Sequence, residues 1–220
     1  MTRRFVSGLL LAAGLSSRFG RVKQLAELEG MSMVERAAQM LIESDVDEVV
    51  VVVGHAADDV RKRLDEGSVK VVLNAKYKSG LSSSLRLGVA SLDARSEAVV
   101  VCLADQPFVT SELVNKIVAL FRKTRADAIA ASSGDLVSPP VLLGWNLYGR
   151  VGRLRGDKGA KAIVLEQPKF ERVEVDPEVL LDIDTEDELS RASRLSRPTS
   201  RKGRAPAAGG PSRGRPSSGP

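Results

Sequence analysis

Five consecutive valines, Val49 to Val53, constrain this chain more than any other feature. β-Branched side chains are stiff about χ1 and fit extended backbone better than helix. A run with no polar alternate cannot turn one face to water, so it specifies a strand covered on both sides. Phe5–Leu11, Glu48–Val53, Val69–Leu73 and Ala98–Leu103 all read this way. Helical stripes lie between them. Met33 to Ser44 sets Met33, Val34, Ala37, Met40 and Leu41 on one side, and Ser32 with Glu35 forms a capping-box start. Ala56–Leu64, Ser82–Leu92 and Thr110–Arg122 continue the series. Strand, helix, strand, helix predicts parallel βαβ units and a three-layer, doubly wound, mostly parallel α/β sheet. Beyond Ala126 the pattern loosens. Short strands are expected near Ala128 and Val141, a helix over Lys158–Glu166, a strand over Phe170–Val175 and a last helix over Glu186–Leu195. Trp145 and Tyr148 stand at helical spacing and are expected to pack.

Charge divides the chain. The net charge is +5, yet six basic residues and no acid fall between Ser196 and Pro220. Removing those six leaves 27 basic residues against 28 acidic ones, a body of about −1. The same segment holds five of the ten prolines and almost no large apolar side chain. It cannot bury enough surface to offset its ordering entropy, so residues 196–220 are expected to be a disordered basic tail and residues 1–195 the folded body. No aromatic residue interleaves the tail's arginines, which speaks against specific nucleic-acid binding. The single cysteine, Cys102, excludes an internal disulfide, and its apolar strand suggests inert core. No apolar stretch is long enough to span a membrane. The opening apolar run flows into Ala12-Ala13-Gly14 and a polar loop without a cleavage context, so it reads as a strand, and the expected location is the cytoplasm.

In an open α/β sheet, ligands sit beyond the carboxyl ends of the strands. Three polar clusters follow strands directly: 13–23, 74–84 and Asp105-Gln106-Pro107. In the first, Leu11-Ala12-Ala13-Gly14 leads through Ser16 and Ser17 to Arg18 and Lys23. Small residues let backbone N–H groups approach a ligand, Gly14 offers backbone freedom, and the two cations suit a triphosphate. The cluster is neither a P-loop nor a dinucleotide fingerprint, and it reads equally well as an ordinary βα turn. Asp105, at a strand tip opposite this loop, is placed to hold Mg²⁺. Asp184 is a candidate second ligand, although Asp184 or Thr185 also reads as the cap of the last helix. Asn74, Gly80, Ser82 and Ser83 read either as nucleotide contacts or as a helix start with serine caps. His55 reads more readily as a surface or capping residue than as a site residue, and Lys158 and Lys161 as a solvated face or a contact to an anionic substrate.

LLAAGLSSRFG with Lys23, the strand ending in LADQP, and the closing DIDTEDEL together resemble the molybdopterin nucleotidyltransferases. Among these the chain is most similar to the molybdenum cofactor cytidylyltransferases, over Phe5 to about Ala192. The segments from Gly80 to Leu85, Pro139-Pro140 and Gly156 to Gly159 fit the same pattern. The resemblance implies a Rossmann-like, nucleotide-diphospho-sugar-transferase-like NTP-transferase domain. It implies transfer of CMP from CTP to the phosphate of molybdenum cofactor, with release of pyrophosphate and Mg²⁺ as cofactor. A molybdenum hydroxylase is the implied recipient of the product. Arg18 and Lys23 would neutralise the leaving pyrophosphate, Asp105 and Asp184 would hold the metal, and Leu11, Ala12, Ala13 and Gly14 would face the base. Ala13 stands where guanylyl-transferring relatives carry glycine, and Leu11 where the cytidylyl pattern often has threonine. Three alternatives stand beside this reading: use of GTP, a sugar or polyol phosphate acceptor, and a non-catalytic molybdenum cofactor carrier.

Overall fold

The computed structural model describes residues 3–195; the tail expected from Ser196 onward lies outside them. The elements run in the order β1 (Val6–Ala12), β2 (Glu27–Leu28), β3 (Met31–Ser32), α1 (Met33–Ile42), β4 (Glu48–Val53), α2 (Ala57–Arg61), β5 (Lys70–Leu73) and α3 (Leu81–Ala90). They continue with β6 (Ala98–Leu103), α4 (Ser111–Thr124), β7 (Ala128–Ser133), β8 (Leu136–Gly144), α5 (Tyr148–Val151), α6 (Ala160–Leu165), β9 (Glu171–Glu174) and α7 (Glu186–Leu195). Seven strands form one sheet in the order β5-β4-β1-β6-β8-β7-β9, and β2 with β3 makes a small separate hairpin. Within the seven-stranded sheet β8 runs antiparallel to both β6 and β7, while the sheet's other pairings are parallel.

The valine run behaves as its composition requires. Val51 and Val53 face one layer with Leu10, Val100 and Cys102, packed under Leu41 of α1 and Ile117 of α4. Val50 and Val52 face the opposite layer with Leu9 and Val101, under Leu85 of α3 and Ile163 of α6. Burial in the apolar layer pushes the Cys102 thiol up to about 12, so it stays protonated and inert. Gly88 lets α3 lie close to the sheet, because a Cβ there would sit 2.5 Å from Leu9. The Ser32–Glu35 capping box forms as expected, with both reciprocal bonds in place.

The irregular half brings one refinement and one correction. The strand expected near Val141 forms as β8, and it starts early enough, at Leu136, to carry Pro139-Pro140 inside it. Prolines donate no ladder bond, and the register accordingly shifts between Ala130 and Ala131 opposite them. Trp145 does not pack: it is 68% exposed, while Tyr148 turns inward and its hydroxyl lies 3.0 Å from Ser96 Oγ. The pair straddles a 3-10 turn, so helical spacing does not put both rings on one face. Among the described residues no helix is long and apolar enough to cross a membrane.

A third apolar cluster positions the site. Phe19 from the loop after β1, Leu28 of β2 and Met33 of α1 pack with Ile183 and with Leu189 and Ala192 of α7. It ties the last helix to the first loop across the whole chain length.

Candidate active site

The carboxyl ends of β1 and β6 open onto a cavity of about 490 Å³. One end is charged. Lys23, which begins a 3-10 turn, donates to Asp105 Oδ2 at 2.5 Å and to Asp184 Oδ1 at 2.8 Å. Arg18 reaches the other oxygen of Asp184 at 2.6 Å. Four side chains from three distant segments are thereby brought together. Burial works against the Lys23 ammonium, but Asp105 and Asp184 together outweigh it and raise its pKa. Burial likewise opposes ionisation of Asp184, and Lys23 with Arg18 overcomes it, holding that carboxyl below its ordinary range. Lys23 is 13% exposed and Arg18 73%, so Arg18 is free to swing while Lys23 is held. Asp105 Oδ1 is buried without a hydrogen-bond partner. Such an orphaned oxygen is costly unless a ligand satisfies it.

The loop carrying Arg18 is held from within. Gln24, 2% exposed, donates to the Gly14 carbonyl at 2.9 Å and accepts from Ser16 Oγ at 3.0 Å, and Ser16 Oγ in turn accepts from the Lys23 amide. Ser16, not Gly14, takes the left-handed backbone, with φ of 56°. The expectation that Gly14 supplies conformational freedom is therefore corrected: the polar side chain of Ser16 adopts that conformation and pins it with hydrogen bonds.

The other end of the cavity is tightly packed. Leu11, Ala13, Leu81 and Leu103 line it with Tyr77 and Ser84. A Cβ on Gly54 would lie 2.8 Å from Ala13 and 2.7 Å from Tyr77, so glycine there lets the two meet. Gly80, at φ of 92°, lies under the Gly156 backbone, and the Ser82 amide donates to the Gly156 carbonyl at 3.0 Å. This contact brings Asp157 to the cavity rim.

Leu11, Ala13, Gly14, Ser16, Ser17, Arg18, Lys23, Gly80, Asp105 and Asp184 all line the cavity. Asn74, Ser82 and Ser83 are buried and Ala12 turns into the opposite core layer; none of the four is in the lining. Asn74 donates to Ser83 and Ser84, each at 2.9 Å, and Ser83 Oγ lies 2.9 Å from the Gly80 carbonyl it donates to. His55 sits behind Tyr77, with ring centroids 6.1 Å apart. Lys158 and Lys161 are outside the lining as well.

Thr185 is the side-chain cap of α7, accepting from the Glu188 amide at 3.2 Å, which leaves Asp184 free to face the cations. Asp182, two residues earlier, is pushed up to about 6 by desolvation, then by repulsion from Asp105 and Asp184, against a hydrogen bond from Gln106. Among the described residues no group of three or more His, Cys, Asp or Glu side chains is arranged to hold a metal.

The family model described as a MobA-like NTP transferase domain matches residues 8–172. The chain belongs to that family. As a MobA-like NTP transferase it is a nucleotidyltransferase, with the mostly parallel fold of its relatives. It is 32% identical over 172 residues to nicotine blue oxidoreductase of Paenarthrobacter nicotinovorans, covering 74% of this chain and 83% of that one. The structure of Rv0371c from Mycobacterium tuberculosis H37Rv superposes with a TM-score of 0.79 at 27% identity, over 88% of this chain and 100% of that one. Rv0371c has also been solved in complex with manganese. Molybdopterin-guanine dinucleotide biosynthesis protein A of Archaeoglobus fulgidus shares the fold, with a TM-score of 0.67 at 18% identity over 86% of this chain and 97% of that one.

Several lining residues of this MobA-like domain escaped the sequence. Gln24 looks like a polar turn residue, and only the fold-back of the loop buries it. Tyr77 and Lys78 sit in a polar stretch with no motif of their own. Asp157 lies in the Gly156-to-Gly159 segment, whose glycines were the one available signal.

Proposed function

We propose that the chain transfers CMP from CTP to the terminal phosphate of molybdenum cofactor, releasing pyrophosphate with the aid of Mg²⁺. The observation that carries the reading is the convergence of Arg18, Lys23, Asp105 and Asp184 in a cavity also lined by Leu11, Ala13, Leu81 and Leu103. The oxygen donors Asp105 and Asp184, with the orphaned Oδ1 of Asp105, fit a hard divalent cation. When bound, that cation would neutralise charge on the triphosphate. Without nucleotide, Lys23 and Arg18 neutralise the same carboxylates. As the triphosphate enters, both cations transfer their hydrogen bonds from carboxylate to phosphate oxygens.

The reaction is an in-line displacement. An oxygen of the acceptor phosphate forms a bond to the α-phosphorus, the bond from that phosphorus to the bridging oxygen breaks, and pyrophosphate leaves with the electron pair. Such a reaction depends on positioning and charge neutralisation rather than on a protein nucleophile. Lys23, held in place and raised in pKa, stays charged throughout. Arg18, more exposed, follows the leaving group. Gln24 braces the loop backbone that carries them. The Ala13 methyl, in the same apolar cluster as Tyr77, would narrow the space beside the base and favour a pyrimidine. The body's charge of about −1 favours a small-molecule acceptor over nucleic acid. The product would pass to a molybdenum hydroxylase, in keeping with the cytoplasmic setting expected from the sequence.

The test is incubation of the purified protein with each of the four NTPs, Mg²⁺ and molybdenum cofactor, following pyrophosphate. CTP should support turnover well above GTP. A redox reading draws on the name of the 32% identical relative alone. Dye reduction by NADH or NADPH in a parallel reaction, with no pyrophosphate released from any NTP, would favour it.

A further inference from the structure

The structure assigns Glu188 the role of a positioning residue for Asp184. This rests on the reading of Asp184 as a ligand of the metal–nucleotide complex. One carboxylate oxygen, Glu188 Oε2, accepts from the Asp184 amide at 2.8 Å and from the Thr185 amide at 2.9 Å. A capping box needs only the second bond, together with the one from the Glu188 amide to Thr185 Oγ1. The first bond is extra. It fixes the backbone of a residue outside the helix, whose side chain carries charge into the cavity.

The strand-like approach to that point is fixed as well. The Ile183 amide donates to the Asp105 carbonyl at 2.8 Å, and the Ile183 side chain is 2% exposed in the cluster with Phe19 and Leu189. Asp184 is thus held on its N-terminal side through the backbone of Asp105, and at its own amide through Glu188. A backbone held on both sides leaves few rotamers that reach Lys23 and Arg18 together. Release of the Glu188 bond frees the second of these restraints. The bond that registers Asp184 against Asp105 remains, but the direction of its carboxylate does not.

Partners of this kind, one step behind a metal's ligands, cost about 10- to 100-fold in metal affinity when removed. The experiment measures binding of Mn²⁺–CTP, and of CTP alone with chelator, by calorimetry; the ratio of the two affinities isolates the metal's contribution. Glu188→Ala should reduce that ratio about tenfold while CTP alone binds as before. Glu188→Gln, which keeps an acceptor oxygen, should restore most of it. Thr185→Ala removes the cap bond but not the clamp, so it should lower Tm and leave the ratio unchanged. An unchanged ratio in folded Glu188→Ala, or an equal loss with and without metal, overturns the assignment. Asp184→Ala is the reference. If it leaves the ratio intact, the failure lies in the metal reading of Asp184, and the role of Glu188 falls with it.

Discussion

At one end of the cavity, Lys23 holds Asp105 from 82 residues away by charge; at the other, the side chains of Ala13 and Tyr77 pack close to Gly54 with no charge between them. The first end is made of strong groups that can change partners. Arg18 and Lys23 each have a carboxylate partner, which on the proposed function they would exchange for phosphate. The second end is lined largely by apolar side chains, Leu11, Ala13, Leu81 and Leu103. Behind that lining, Asn74 and Ser83 are bonded to one another and to the backbone. On the proposed function, the charged constellation would set the chemistry and the packed wall the choice of substrate. The two should fail differently when altered.

The largest expected effect is at the charged end. Asp105→Ala should reduce kcat by at least about 10²–10³-fold, the usual loss when a transition-state charge contact is removed. Its Tm should stay close to that of the unaltered protein, because Asp184 still pairs with Lys23 and the substitution also removes the unpartnered Oδ1 of Asp105. Thermal melts and steady-state kinetics on one preparation check both halves. A near-normal kcat at saturating Mg²⁺ would misplace the site.

Next comes the packed end. Ala13→Gly should raise the GTP-to-CTP ratio of kcat/KM by about 10-fold or more, since a methyl in a pocket is worth roughly 1–3 kcal/mol. Tyr77 and Leu81 remain, so CTP use should persist. Competition assays with the two nucleotides measure the ratio directly. An unchanged ratio would remove Ala13 from base selection.

Much of this contrast was legible in the sequence, and its limits are physical. The valine runs specify covered strands because no other environment accepts them, and Glu186–Leu195 begins and ends where its acidic first turn and apolar stripe predict. Arg18, Lys23 and Asp105 are readable as candidates because they follow strands at the ligand edge, although the loop alone reads equally well as an ordinary turn. Asn74 and Ser83 carry the same polar signature as ligand contacts, yet they satisfy each other, and composition cannot tell a bonded hydroxyl from a free one. Gln24 hides for the opposite reason: its burial comes from a loop closing on itself, which leaves no periodicity. Thr185 and Asp184 divide the two roles the sequence offered them, cap to one and site to the other.

Asn74→Ala sharpens the comparison with a smaller effect. It leaves the Ser83 and Ser84 hydroxyls short of a donor in a buried setting, at a cost of about 1–3 kcal/mol. Stability should fall while KM for CTP changes less than about threefold, a shift under about 0.7 kcal/mol. Chemical denaturation and kinetics separate the two. A large rise in KM with unchanged stability would return Asn74 to the binding surface.

The smallest effect concerns pH. Asp182 is pushed up to about 6, so between about pH 4 and 6 the folded state binds more protons than the unfolded one. Stability should therefore decline across that window as pH rises. Asp182→Asn should remove the decline and add about 1 kcal/mol or less at pH 7, because Asp182 is exposed and solvent screens its charge. Melts across pH 4 to 7 would show the slope vanish. A slope that survives the substitution would assign it to other groups.

The central claim is that the charged end transfers a nucleotidyl group to a phosphate. Its most direct measurement uses CTP labelled at the α-phosphorus, with molybdenum cofactor and Mg²⁺, and counts label on the cofactor against pyrophosphate released. One label should appear on the cofactor for each pyrophosphate, and both should vanish in Asp105→Ala. Pyrophosphate without label on the cofactor, or label transfer that survives Asp105→Ala unchanged, would contradict the account.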